Sequence, residues 1–279
     1  GDPSRAQRQP QIFGGTRKLG VKDVIAAQTD ITSVLAQRAT ALLRSLPVPA
    51  DSAVASALQT LRSWDHRAAR ESVGASIFNV WFHHHLRPLV VRRVLPPETF
   101  KWVDSGSIQI IMSLLEQPSS RLGPAPQKVR DELLLTALSA AVEDLTRRLG
   151  SDQSRWQWGR LHHARFEHPL AALVDEPTRV QWNVGPIGKA GDDESLAKSS
   201  YRSSDFRLMS GGSARFVTDV GDWSNAWATN TPGQSGDPRS PHYRDLFEDW
   251  AYDRYFPLLF DRSAIEKEAR QRIVLVARP

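Results

Sequence analysis

Residues 126–150 read "PQKVRDELLLTALSAAVEDLTRRLG". Apolar side chains fall at Leu133, Leu134, Leu138, Val142, Leu145 and Leu149, the spacing of one helix face, and Gly150 is a natural stop. On the N-terminal side, the chain from residue 21 onward reads as more helix. "VKDVIAAQTDITSVLAQRATALLRSL" (21–46) carries the same period and ends at Pro47 and Pro49. Asp51 or Ser52 caps "AVASALQTLRSW". Ser72 opens "VGASIFNVWFHHHLRPLVVRRVL", interrupted at Pro88 and stopped at Pro96-Pro97.

The texture changes at 151, where Gly, Ser, Asp and Trp become frequent. "TRVQWNVG" (178–185) and "ARFVTDVGDW" (214–223) read as strands. "SPHYRDLFEDWAYDRYF" and "SAIEKEARQR" return to helix, and "IVLVARP" reads as a final apolar strand. Helices first and strands later predict an α+β architecture, with a mostly helical region over 1–150 and a mixed region over 151–279. No internal repeat is present.

The 279 residues are enough for one large domain or two ordinary ones. Charged residues make up 24% and are interspersed, and the net charge of +5 comes with no basic tail, so nucleic acid is not an expected partner. The absence of cysteine excludes disulfides and thiolate metal sites. No run of 18 apolar residues occurs, so no membrane-spanning helix is expected. The polar, turn-like opening "GDPSRAQRQPQIFGG" has no apolar leader and no initiator Met, as expected of a piece cut from a longer precursor.

Several stretches invite a chemical reading. His83-His84-His85 looks like a metal tract, but adjacent helical residues point in different directions and cannot converge on one ion. His162, His163 and His168 come without a second metal-binding signature and read as packed or hydrogen-bonded rings. "GQSGD" (233–237) resembles a nucleophile elbow, yet Asp237 stands where glycine is required, and Pro238 and Pro241 block the following helix. Ser235 and His242 therefore belong to a conformationally exacting turn, with Gly233 and Gly236 expected at positive φ. Asp219 reads as a solvated strand residue or a supporting acid, and no phosphate-binding loop is present.

Four blocks resemble, in order, the C-terminal part of the β subunit of the penicillin acylase family of N-terminal-nucleophile hydrolases. "RAQRQPQIFGGTRKLGVKDVIAAQTDITS" resembles the run R-x-x-R-I followed by a helix ending in Q-x-D. "LQTLRSWDHRAARESVGASIFNVWF" resembles the L-x-x-W-D block and the F-x-x-W after it. "WQWGRLHHARFEHPL" resembles W-x-W-G-x-L-H-x-x-x-F-x-H-P-L, and the stretch from Gly211 to Phe260 resembles the long C-terminal signature.

The resemblance implies part of an αββα sandwich. It also implies hydrolysis of a linear or cyclic amide with a hydrophobic acyl group, the nucleophile being a serine at a new N-terminus. That serine and the oxyanion asparagine are expected before residue 1, on a companion chain or segment of the same precursor. A calcium-ligating acid found in part of the family is expected there too, with no cofactor in this chain. Within the chain, Arg5 and Arg8 match the two arginines of the R-x-x-R-I run, one of which orients the catalytic asparagine; Gln9 stands in place of the isoleucine. The location implied is periplasmic or secreted, with the cytoplasm left open. The rival expectation is a non-catalytic scaffold that keeps the fold.

Overall fold

The computed structural model describes residues 3–103 and 105–277. They form α1 (Ser4–Phe13), α2 (Val21–Gln28), α3 (Val34–Ala41), α4 (Ser52–Ser63), α5 (Val73–Asn79), α6 (Arg87–Val94), α7 (Ile108–Glu116), α8 (Pro126–Leu149), α9 (Trp158–Leu161), α10 (Glu176–Trp182), α11 (Phe247–Ala251) and α12 (Arg262–Glu268). The strands are β1 (His163–Phe166), β2 (Val184–Gly188), β3 (Ser199–Tyr201), β4 (Leu208–Gly211), β5 (Arg215–Asp219), β6 (Asp222–Thr229) and β7 (Phe256–Pro257). This is an α+β protein whose strands lie in small antiparallel sheets, β1-β2, β3-β4 and β5-β6-β7.

Two compact units result. One comprises 1–16 and 29–212, the other 17–28 and 213–279, so this division does not follow the change of texture at 151.

The first unit is built on α8. Leu134, Leu138, Ala141 and Leu145 repeat along one face and are fully buried. Opposite them lies the segment 73–94. Ser72 caps it by accepting the Ala75 amide at 3.1 Å. Its first turns bury Ile77, Phe78, Trp81 and Phe82 completely. Trp81 Nε1 donates to Leu134 O at 3.1 Å, which satisfies the indole among apolar neighbours. From Val80 to Leu86 the helix widens into a π-helix, and Arg87 N donates to Phe82 O, five residues back. That explains why Pro88 does not end the helix: a proline lacks the amide that an α-turn needs, and the widened turn makes room for its ring. Asp51 closes the start of α4, accepting from Ala53 N at 2.8 Å and Val54 N at 3.0 Å.

The expected single helix over 21–46 is divided. Residues 29–33 leave the helix because the short polar side chains of Asp30, Thr32 and Ser33 offer the backbone other partners. Asp30 Oδ1 accepts the Thr32 amide at 3.1 Å, and Ser33 accepts the Ala36 amide at 3.1 Å to begin α3. Ser33 N donates to His66 O and Ala68 N to Ile31 O, each at 2.9 Å.

Other readings also change. Residues 178–182 belong to α10 and not to a strand, because Asp175 caps Thr178 N at 3.0 Å and Pro177 suits a first helical turn. The helix expected over 240–256 shrinks to α11, since the chain from Asp237 to Leu246 is held by turn hydrogen bonds. Residues 273–277 are exposed and form no strand, and the last two residues of that expected strand lie outside the described ones.

In the second unit, Gln28 Nε2 donates to Phe216 O at 3.0 Å and Tyr255 Oη donates to Gln28 Oε1 at 2.9 Å, fixing α2 on the sheet. Neither Gly233 nor Gly236 has positive φ, contrary to expectation. The turn instead needs Gly233 for space. A Cβ there would lie 2.3 Å from His242 O, whereas at Gly236 it would meet nothing within 4 Å. Gly233→Val should therefore cost about 1–3 kcal/mol, and Gly236→Val less than about 0.5 kcal/mol. Urea unfolding of the two variants checks this; equal losses would show that the turn is not held by that close approach.

Candidate functional site

The helix α1 carries both candidate arginines. Arg5 is exposed. Arg8 is held from three sides. Its Nε donates to Asp30 Oδ1 at 3.1 Å and its Nη2 to Asp30 Oδ2 at 2.8 Å, a bidentate pair. Nη1 donates to Gln11 Oε1 at 2.9 Å and Nη2 reaches Thr32 Oγ1 at 3.4 Å. Burial pushes the Asp30 carboxyl up, but Arg8 and Thr32 outweigh it and hold it below the usual carboxylate range. The break after α2 is what makes this contact: it turns Asp30 toward α1, so the R-x-x-R and Q-x-D blocks meet. Arg8 therefore has a fixed orientation, while Arg5 presents its guanidinium to solvent.

The turn at 233–245 holds no nucleophile–base pair. Ser235 Oγ accepts the Asp237 amide at 3.1 Å, and the exposed His242 ring pairs through Nδ1 with Asp245 Oδ2 at 2.8 Å. His242 O is the structural centre of the turn, accepting from Gln234 N and Ser235 N at 2.8 and 3.0 Å. Asp219 is exposed and accepts the Gly221 amide at 2.9 Å, so it belongs to the β5–β6 turn.

The histidines are shared out among separate contacts. His84 stacks on Phe206 with centroids 4.6 Å apart and planes 2° apart. His85 pairs with Asp144 at 3.4 Å. Arg147 and Arg148 pair with Asp144 as well; burial pushes this carboxyl up, and His85 and Arg148 pull it far below its ordinary value. His162 stacks on Trp158 at 4.9 Å and its Nδ1 donates to Lys189 O at 2.7 Å. Trp158 Nε1 donates to Gly191 O at 2.9 Å, and Tyr201 Oη donates to Asn79 Oδ1 at 2.9 Å. This aromatic hub ties the segment 156–206 to α5. Among the described residues, no group of three His, Cys, Asp or Glu side chains is placed to hold a metal ion.

Sequence reasoning passed over the run Asp192-Asp193-Glu194. Asp192 and Glu194 are buried, and His83 Nε2 on the π-helix lies 3.4 Å from Glu194 Oε2. Beside them a cleft of about 610 Å³ is lined by His83, His84, Arg87, Asp193 and Tyr201 among others. The available signal was three consecutive acids in a stretch otherwise poor in charge.

With this geometry in place, the comparisons with known proteins assign the chain. The sequence signature described as penicillin amidase covers residues 1–267. The chain belongs to the penicillin amidase family. It is similar to penicillin acylase 2 proenzyme of Pseudomonas sp. strain SE83, at 30% identity over 98% of this chain and 35% of that protein. It is also similar to the acyl-homoserine lactone acylase QuiP of Pseudomonas aeruginosa, at 25% identity over 95% of this chain and 35% of that protein. Its fold matches thermostable penicillin G acylase from Alcaligenes faecalis with a TM-score of 0.51 at 17% identity, covering 99% of this chain and 52% of that one. The chain thus spans about a third of the length of the curated relatives it matches.

Burial lowers the His162 imidazole to about 4 from an ordinary 6.5. Between these values the unfolded chain takes up a proton that the folded one refuses. The stability that depends on neutral His162 is thus present above pH 6.5 and lost as pH falls toward 4, by roughly 3 kcal/mol. The stability difference between wild type and His162→Phe should narrow by about that amount on acidification, measured by urea unfolding at pH 7 and pH 4.5. A difference independent of pH would contradict the neutral, buried ring.

Proposed function

We propose that this chain is the C-terminal section of an acylase that hydrolyses the amide bond of a hydrophobic N-acyl substrate. Its nucleophile is a serine at the N-terminus of a companion chain or segment cut from the same precursor. The observation that carries the reading is the Arg8–Asp30 pair at 2.8 Å, which joins the two ends of the first block that resembles the family. One relative bears the name proenzyme, in keeping with a precursor that is cut. Exposed Phe216, Val220, Trp223 and Leu275 form apolar surface of the kind a companion segment covers.

In this reading the serine hydroxyl attacks the amide carbonyl and its own α-amino group takes the proton. Backbone amides and an asparagine of the companion stabilise the oxyanion. Asp30 fixes Arg8, Arg8 fixes α1, and α1 sets the orientation of the chain that leads to the asparagine. Arg5, one turn earlier, faces the companion segment. A calcium ion, where one is bound, belongs to the companion part, and the location is the periplasm or the exterior.

Full-length protein should mature into more than one chain, one beginning with Ser, and should hydrolyse the side-chain amide of a penicillin or the amide of an acyl-homoserine lactone. Arg8→Ala should lower turnover by roughly 10- to 1,000-fold, equivalent to about 1.4–4 kcal/mol. Ser235→Ala and His242→Ala should keep more than about a tenth of wild-type turnover, because loss of a true nucleophile costs about 10⁶-fold. Intact-mass analysis and initial rates check all three. An uncut chain without hydrolysis would overturn the reading, as would inactive Ser235→Ala beside normal Arg8→Ala.

A further inference from the structure

The loop 188–201 is fastened to the helical core by backbone hydrogen bonds. Gly191 N donates to Ala68 O at 2.8 Å and Ala197 N to Asp30 O at 2.9 Å, while Ser199 N closes the loop on itself by donating to Asp192 O at 2.8 Å. At its centre sits Asp192, fully buried. Its Oδ1 accepts the amides of Glu194 at 3.1 Å and Ser195 at 2.8 Å. Its Oδ2 is buried with no hydrogen-bond partner among the described residues. The same holds for Glu194 Oε2 and for His83 Nε2, which face each other at 3.4 Å without hydrogen-bond geometry.

Two carboxylates enclosed with one imidazole leave an excess of negative charge where water cannot screen it. A metal ion does not fit, since no three such side chains are close enough to ligate one. A proton does. We propose that Asp192, Glu194 and His83 form one buried proton-binding site whose proton fastens the 188–201 loop to the helical core.

The other ionisable groups around the site are accounted for. Asp193 accepts from the Ser200 hydroxyl. Arg87, on the helix that carries His83, donates from Nη1 to His83 Nδ1 at 3.2 Å and from Nη2 to Gly106 O at 2.6 Å, so one cation bears on the site from the far side of the imidazole. Buried Lys189 bears on His162, and Tyr201, across the loop, stays a neutral phenol because burial raises it. Burial first, and then the Glu194 charge, push Asp192 up to about 7 from an ordinary 3.8. A folded state that holds its proton more tightly than the unfolded one is most stable below pH 3.8. It loses that contribution as pH rises to 7 and keeps no part of it above.

Asp192→Asn tests this in the full chain, since the amide keeps the acceptor for the two backbone N–H groups and carries no titratable proton. The unfolding constant of wild type relative to the variant should rise about tenfold per pH unit from pH 5 to 7 and level off above about pH 8. A ratio constant over pH 5–9 would overturn the proposal. Glu194→Gln removes the neighbouring charge and should move the rise to lower pH; an unmoved rise would show that Asp192 titrates alone and would refute a shared site. Infrared spectra of folded wild type at pH 6 supply a readout that needs no variant. A protonated-carboxyl band that disappears by pH 9 is expected, and its absence would refute the proposal.

Discussion

The first unit depends on the indole N–H of Trp158. It reaches Gly191 O at 2.9 Å from the middle of a ring cluster formed with His162, Tyr201 and Phe206. Each ring also makes a directed contact outside the cluster. Tyr201 reaches Asn79 in α5, His162 reaches Lys189, and Phe206 stacks on His84 of the π-helix. Loops with little regular structure are thereby attached to a helical core, and the polar atoms of His162 and Tyr201 that point out of the cluster are buried with a partner each. The π-helix serves the same end. Its widened turn places His83 toward the loop, His84 against the ring cluster and His85 toward α8.

That packing bears on function through the ends of the loops it holds. Ala197 N donates to Asp30 O, and Asp30 in turn fixes Arg8. The path from the aromatic hub to α1 is thus made of hydrogen bonds between named groups. Its far end is the helix that, in the proposed reading, adjoins the catalytic centre on a companion segment. A scaffold of this kind contributes to catalysis by positioning.

Much of this was legible in the sequence. The period of Leu134, Leu138 and Leu145, the Gly150 stop and the caps Asp51 and Ser72 all express local physics, and local physics survived. The break at Thr29–Ser33 was hidden because the apolar spacing continues across it; only the capping chemistry of Asp30 and Ser33 marked it. At 178–182 the β-branched and aromatic content outweighed the Asp175 and Pro177 signals. The apolar run 273–276 read as a strand and is exposed outside any strand; nothing among the described residues covers it. For the site, the arginines were found through resemblance, but the Asp30 partner depended on the unseen break. His83 and Glu194 lie more than a hundred residues apart in sequence, and only the fold brings them together.

The central claim is that the ring hub makes the loops and the helical core of the first unit one cooperative structure. Native-state amide hydrogen exchange on wild type and Trp158→Phe measures it most directly. The account predicts that amides of Gly191, Ala197 and Ser199 open with the same free energy as those of α8 in wild type. In the variant, which keeps a smaller aromatic ring and loses the indole donor, both sets should fall together. Loop amides that exchange freely while α8 stays fully protected in wild type would contradict it.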